Sequence, residues 1–72
     1  MDESVWVEYI IDRDVYVDSQ LSARTNTLFT VETGTHTFDL GPPLTYDPPH
    51  ITATVIDTSP LDPLILRFEP EL

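Results

Sequence analysis

Three aspartates in the first quarter of the chain, Asp12, Asp14 and Asp18, are close enough in sequence to act together on a cation. Hard cations such as Ca²⁺ prefer several carboxylate oxygens. The calcium loop of EF-hand proteins requires acidic or amide ligands at alternate positions followed by a glycine, but here Tyr16 stands at the third ligand position and no glycine follows it. A solvated acidic edge is therefore the favoured interpretation, and the sequence predicts neither a metal site nor a cofactor.

Two histidines and several serines are the other side chains that could take part in catalysis. His36 and His50 are far apart, and no third ligand or HExxH spacing accompanies them. We expect a structural role for His36 and an exposed loop position for His50. None of the serines lies in a nucleophile-elbow sequence, and the two glycines do not form a phosphate-binding loop. The sequence therefore predicts a protein that is not an enzyme.

Aromatic residues offer a different chemistry, because an exposed ring stacks on sugars or anchors a protein interface. The candidate interaction patch consists of Trp6, Glu8, Tyr16 and Tyr46. Trp6 and Tyr16 are the stronger members, since each alternates with valines that should be buried. They would share the outer face of one sheet if the first two strands pair. In a small core, however, such rings are more often structural.

Period-two alternation of apolar and polar residues positions these side chains on strands. The expected strands cover residues 5–11, 14–18, 21–24, 27–31, 35–40, 51–56 and 64–68, with a proline-rich loop at 41–49. No segment has the 3.6-residue period of a helix. About seven short strands joined by Gly, Pro and Asp turns indicate a small antiparallel β-sandwich, with a small β-barrel as the alternative. Seventy-two residues suit a single domain, residues 1–72.

The charge of the chain limits its partners. Thirteen Asp and Glu against three Arg and Lys give a net charge of −10. Because nucleic acids and anionic lipids require clustered basic residues, we expect no nucleic-acid partner, and a protein with a basic surface is the favoured one. No segment is apolar enough for membrane insertion or for a signal peptide, so we expect a cytoplasmic protein as the sequence stands, or an extracytoplasmic one if it was excised from a longer precursor. The absence of cysteine excludes disulfides.

Two segments, DVYVDSQL and ETGTHTFDL, resemble the PEGA domain family. That family has VYVDG, a short variable stretch, TP, an apolar strand and then PGTHT, and residues 15–18 and 34–37 match it position by position. The family's name-giving tetrapeptide falls at residues 10–13, where this chain has IIDR, and Ser19 and Asn26 replace the Gly and Pro of the other motifs. The resemblance implies a β-sandwich accessory module, found within larger bacterial or archaeal envelope proteins, without catalytic residues.

Fold pattern, charge and missing catalytic motifs together predict a non-catalytic protein-interaction or structural module whose acidic surface binds another protein. A carbohydrate-binding module is the alternative, because Trp6 with Glu8 and Tyr16 with its neighbouring aspartates could form platforms for sugars. A DNA-mimic inhibitor ranks below both, since several of the aspartates are turn residues. Homodimerisation by strand pairing, through the first or last strand, is a further option.

Overall fold

The chain forms two packed β-sheets and crosses from one to the other along its length. Most strands begin and end within two or three residues of the expected positions. The computed structural model describes residues 1–71, which form nine strands and no helix. The strands are β1 (Asp2–Glu8), β2 (Asp14–Val17), β3 (Gln20–Arg24), β4 (Leu28–Glu32), β5 (Gly34–Asp39), β6 (Tyr46–Asp47), β7 (Ile51–Val55), β8 (Leu64–Arg67) and β9 (Glu69–Pro70). The predicted all-β fold is confirmed. No helix that could cross a membrane occurs in the described part of the chain.

The first sheet has three strands in the order β4-β1-β8, so that the first strand of the chain is its centre. β1 pairs antiparallel with β4, placing Trp6 opposite Leu28. It pairs parallel with β8, placing Trp6 opposite Ile65. This parallel pair departs from the antiparallel arrangement expected from sequence. It can form because most of the chain lies between β1 and β8, which leaves ample length for the crossover that parallel strands require.

The second sheet has four antiparallel strands in the order β3-β2-β5-β7. Its first hairpin turns at Asp18 and Ser19, whose φ values of 51° and 69° are those of a two-residue turn that matches the twist of the strands. A third, two-stranded sheet pairs β6 with β9. This pair was not expected, because β6 lies within the proline-rich stretch and pairs over only two residues.

Alternate residues of both large sheets meet in one core. Its buried members are Val5, Val7, Tyr9, Val15, Val17, Phe38, Leu40, Tyr46, Val55, Leu66 and Phe68. Both sheets contribute, as in a sandwich of two sheets packed face to face. The Cα radius of gyration is 11.3 Å, close to the roughly 11 Å of a compact chain of this length.

Two details of the first strands differ from expectation. β1 begins earlier and ends at Glu8, so Ile11, expected on its inner face, is 59% exposed. Trp6 and Tyr16 would share an outer face if β1 and β2 paired, but these two strands belong to different sheets. The reason is that residues 9–13 carry the chain across the sandwich and do not form a hairpin.

Candidate interaction surface

An apolar row crosses the outer face of the three-stranded sheet. Trp6 is flanked by its register partners, Leu28 on β4 and Ile65 on β8. Trp6 is half-buried, whereas Leu28 is 44% and Ile65 60% exposed. The neighbours of Trp6 along β1, Val5 and Val7, are completely buried on the opposite face. We refer to Leu28, Trp6 and Ile65 as the apolar row.

Charged groups lie at both ends of the sheet that carries the apolar row. At one end, Glu8 Oε2 forms an ion pair with Arg67 Nη2 at 2.7 Å across the β1–β8 pair. At the other end, Glu32 lies 3.1 Å from the amino group of Met1. Both ion pairs are exposed, so each contributes little to stability. The sheet therefore presents an apolar centre between polar ends, which is the usual anatomy of a protein interface.

Of the four residues proposed from sequence as an interaction patch, the structure brings together Trp6 and Glu8, which lie on the same face of β1. Tyr16 lies on the four-stranded sheet, where its ring covers Gly41 so closely that a Cβ atom there would collide with it. Gly41 has a φ of 70°, a conformation that favours glycine. The ring of Tyr16 thus closes the start of the proline-rich loop and does not join the apolar row.

Tyr46 is 3% exposed and lies in the core, although the sequence placed it in a loop. Its ring packs edge-on against Tyr9 and Phe68, with centroid distances of 6.5 and 5.5 Å. Its hydroxyl accepts a hydrogen bond from the backbone N–H of Leu40 at 3.2 Å. Tyr46 therefore stabilises the fold from within and is not available to a partner in this structure.

Arg13 holds the proline-rich loop over this ring, a role that sequence reasoning missed. Its Nη2 atom donates to the carbonyl oxygens of Leu40, Gly41 and Pro43 at 3.3, 2.9 and 2.9 Å. The guanidinium also lies 5.0 Å from the centroid of the Tyr46 ring, within the range of a cation–π contact. This arginine is consequently occupied by its own chain.

Asp18 and His36 join the β2–β3 turn to β5. Asp18 Oδ2 lies 2.6 Å from His36 Nδ1, and His36 Nε2 lies 2.7 Å from the carbonyl oxygen of Glu32. Both ring nitrogens therefore face acceptors, which a doubly protonated imidazolium satisfies by donating twice. The Asp18 carboxylate, and then the Glu32 carbonyl, raise the pKa of His36 above its usual value of 6.5. The bond from His36, and then that from the N–H of Thr37, lower the pKa of Asp18.

Glu3 is a buried carboxylate that no sequence motif singles out. It accepts hydrogen bonds from the hydroxyls of Thr33 and Thr58, both at 2.6 Å, and from the N–H of Thr58 at 2.9 Å. The bonds from Thr33 and Thr58 lower the pKa of Glu3 from 4.5 to about 2. Its partners are thirty or more residues away in sequence, so no local pattern indicates its role.

The three aspartates considered as cation ligands each face a different group. Asp14 Oδ1 lies 3.4 Å from Arg24 Nη1, Asp12 Oδ1 lies 3.4 Å from Asn26 Nδ2, and Asp18 contacts His36. Within residues 1–71, no three His, Asp or Glu side chains form a cluster that could hold a metal ion. His50 is exposed at the end of the proline-rich loop, as expected.

Comparison with known proteins does not add to this geometry. No protein-family model matches the chain, and neither the curated proteins nor the solved structures contain a match.

Proposed function

We propose that this chain is a non-catalytic protein-interaction module that binds a basic partner protein through the outer face of its three-stranded sheet. The observation that carries this proposal is the apolar row, which lies on an outer face and not in the core. Tryptophan is enriched among the residues that dominate binding energy, and leucine or isoleucine neighbours exclude water around such an anchor. The row therefore supplies a centre, and the polar ends of the sheet supply a rim.

The contacts of the three arginines support an acidic binding surface. All three arginines contact groups of their own chain: Arg13 the carbonyls of the proline-rich loop, Arg24 the carboxylate of Asp14, and Arg67 that of Glu8. Ten negative charges remain in excess. A partner with a basic surface would be drawn to such a surface by long-range attraction, which raises the association rate at low salt.

A PEGA-like identity is part of this proposal, and the arrangement of the two resembling segments supports it. They lie on neighbouring strands, β2 and β5. Asp18, at the end of VYVD, accepts from the N–H of Thr37 at 3.0 Å, contacts His36, and donates its own N–H to the carbonyl oxygen of Thr37 at 2.8 Å. These contacts join a residue of one motif to residues of the other motif. They therefore supply a structural reason for the two segments to occur together. In this proposal the module serves as an accessory part of a larger assembly.

The test is capture of a partner by the immobilised chain from an extract of its source, at low salt, with elution by NaCl and identification by mass spectrometry. A double variant, Leu28→Thr with Ile65→Thr, removes the exposed part of the apolar row. The matched control is Leu61→Thr, which changes an exposed leucine in the turn before β8, outside the apolar row. We expect one dominant protein, eluted by salt, that the wild type and the Leu61 variant retain and the double variant loses.

Binding measurements with the purified partner then test whether the outer face of the three-stranded sheet is the binding surface. Its association rate should fall as NaCl increases, and its affinity should fall at least tenfold in the double variant. Equal capture by all three chains would contradict the assignment of the surface. Because Trp6 is the single tryptophan, its fluorescence also reports on this face directly. A fluorescence change with a polysaccharide, in the absence of a protein partner, would favour the carbohydrate-binding alternative instead.

A further inference from the structure

β7 is an edge strand without the protection that edge strands usually carry. Natural edges are blunted by charges, prolines or bulges, because an exposed strand can pair with another chain. Of the four edge strands in the two large sheets of residues 1–71, β3 ends in Arg24 and pairs through a bulge, β4 ends in Glu32, and β8 ends in Arg67. β7 reads Ile-Thr-Ala-Thr-Val, with no charge and no proline.

The backbone groups that β7 exposes follow from the pairing of β5. The carbonyl oxygen of Thr37 accepts from Asp18 N, and the N–H of Thr37 donates to Asp18 Oδ1, so the backbone groups of Thr37 face β2. In an antiparallel pair, alternate residues face opposite neighbours. The backbone groups of His36 therefore face β7, where His36 pairs with Ala53. The N–H and C=O groups of Thr52 and Thr54 consequently point away from the sheet, along its free edge.

The sequence of β7 is complementary to itself. Reading outward from Ala53 in either direction gives a threonine and then a β-branched apolar residue, Ile51 on one side and Val55 on the other. In an antiparallel pair centred on Ala53, Thr52 of one copy lies opposite Thr54 of the other, and these are the residues whose backbone groups are free. We propose that two copies of this chain pair antiparallel along β7, about a two-fold axis at Ala53.

Side chains on both faces of β7 fit this pairing. On the outer face, threonine hydroxyls already form cross-strand bonds, Thr35 with Thr54 and Thr37 with Thr52, both at 2.9 Å. The two-fold axis places Thr52 of the second copy beside Thr54 and so continues each row of hydroxyls across the joint. On the inner face, Ala53 is half-buried at the margin of the core. The second copy covers this margin with its own apolar residues.

The charge distribution favours a second copy of the chain, and not a basic strand of another protein, as the partner that pairs with the free edge of β7. Each chain carries ten net negative charges, and two such chains repel one another. They can approach most closely where a strand bears no charge, which is the case for β7 among the edges described above. A basic strand would instead be favoured by an edge that carries carboxylates, such as β4 with Glu32. The apolar row lies on the other sheet and stays exposed in this dimer, so the pairing is independent of the proposed function.

The test is sedimentation velocity of the purified chain over a range of protein and NaCl concentrations. We expect a dimer whose fraction increases with protein concentration and also with NaCl, because screening weakens the repulsion between the two copies. Thr54→Pro removes the N–H on the free edge, which no bond within the chain requires, and should abolish the dimer. Thr54→Val removes only the hydroxyl and should retain it. Ile65→Thr should retain it as well, because Ile65 lies on the other sheet.

A charge-exchange experiment tests the register without relying on proline. Thr52→Glu with Thr54→Glu places glutamates opposite each other across the axis, and the corresponding lysine double variant does the same with positive charges. Each double variant alone should be monomeric, while an equal mixture should form a mixed dimer that high salt weakens. A wild type that stays monomeric at every concentration and salt level would overturn the proposal. So would a dimer that persists in the Thr54→Pro or glutamate variants, or one that the Ile65 variant loses.

Discussion

The outer faces of the two sheets differ in what their side chains contact. On the outer face of the four-stranded sheet, threonine hydroxyls pair across β5 and β7, and Tyr16 covers Gly41. At the margin of the same sheet, Asp18 and His36 join a turn to a strand, with the His36 ring on the side of β5 that carries Phe38. These groups satisfy one another. On the three-stranded sheet, the apolar row extends over all three strands, with Leu28 44% and Ile65 60% exposed.

This difference separates side chains that maintain the fold from side chains that the fold does not need. A polar group bonded within its own chain must lose that bond before it can serve a partner, which makes the four-stranded face a poor side-chain interface. An exposed apolar group has no such bond to lose, and its burial by a partner is favourable. This difference is the reason why we propose side-chain recognition for the three-stranded sheet and backbone recognition for the free edge of the four-stranded sheet.

Among changes outside the core, the largest effect is expected where the four-stranded face closes over the proline-rich loop. Gly41→Ala forces a residue with a side chain into a φ of 70° and places its Cβ against the ring of Tyr16. Left-handed strain and overpacking together should lower the free energy of unfolding by about 2–4 kcal/mol. Urea denaturation followed by the fluorescence of Trp6 measures this change.

A double-mutant cycle with Tyr16→Ala separates the collision from the strain. In the Tyr16→Ala background, Gly41→Ala should cost only the strain, about 1–2 kcal/mol. If Gly41→Ala costs the same in both backgrounds, the ring of Tyr16 does not close this loop, and the contrast between the two faces loses one of its supports.

A smaller effect is expected from the contact between Asp18 and His36, and it depends on pH. The Asp18 carboxylate raises the pKa of His36 in the folded state. This contribution to stability is fully present below the unfolded value of about 6.5 and is lost as the pH rises through the higher folded value. We expect wild-type stability to decline above pH 6.5, and the decline to be absent in His36→Asn.

His50→Asn is the matched control, because His50 is exposed and lies outside this cluster. The comparison is best made below pH 8.0, since the pKa of the Met1 amino group is raised from that value by its hydrogen bond to Glu32 and would add a decline of its own. Parallel curves for the wild type and His36→Asn would exclude a doubly donating imidazolium at this position.

The alternation of residues predicted most of the fold but not how its strands are distributed between sheets. In β1 it separated Val5 and Val7, which are buried, from Trp6, which is on the outer face. Alternation is a local property and carries no information about which strand lies beside which. Pairing depends on distant partners, so the condition under which Trp6 and Tyr16 would share a face is not met, although alternation placed each ring on the outer face of its own strand.

The apolar row was predictable only in part, for the same reason. Trp6 and Glu8 were predictable from the alternation within their own strand. Leu28 and Ile65 lie beside Trp6 through registers that no local pattern specifies. Tyr46 was assigned to the surface because it lies among prolines. It is buried because distant groups pack around it, including Phe68 and the guanidinium of Arg13.

The smallest effect on stability is expected on the three-stranded face, and a pair of adjacent residues in β8 shows it most clearly. Ile65 is 60% exposed in the apolar row, whereas Leu66 is 7% exposed in the core. Ile65→Thr should change the free energy of unfolding by no more than about 0.5 kcal/mol. Leu66→Thr should cost about 2–5 kcal/mol, as large-to-small changes at buried leucines do. Comparable losses in urea denaturation would mean that the row stabilises the fold, and the reason for assigning recognition to this face would disappear. A near-zero loss at Ile65 would leave its exposed side chain without a role in folding, as a binding surface requires.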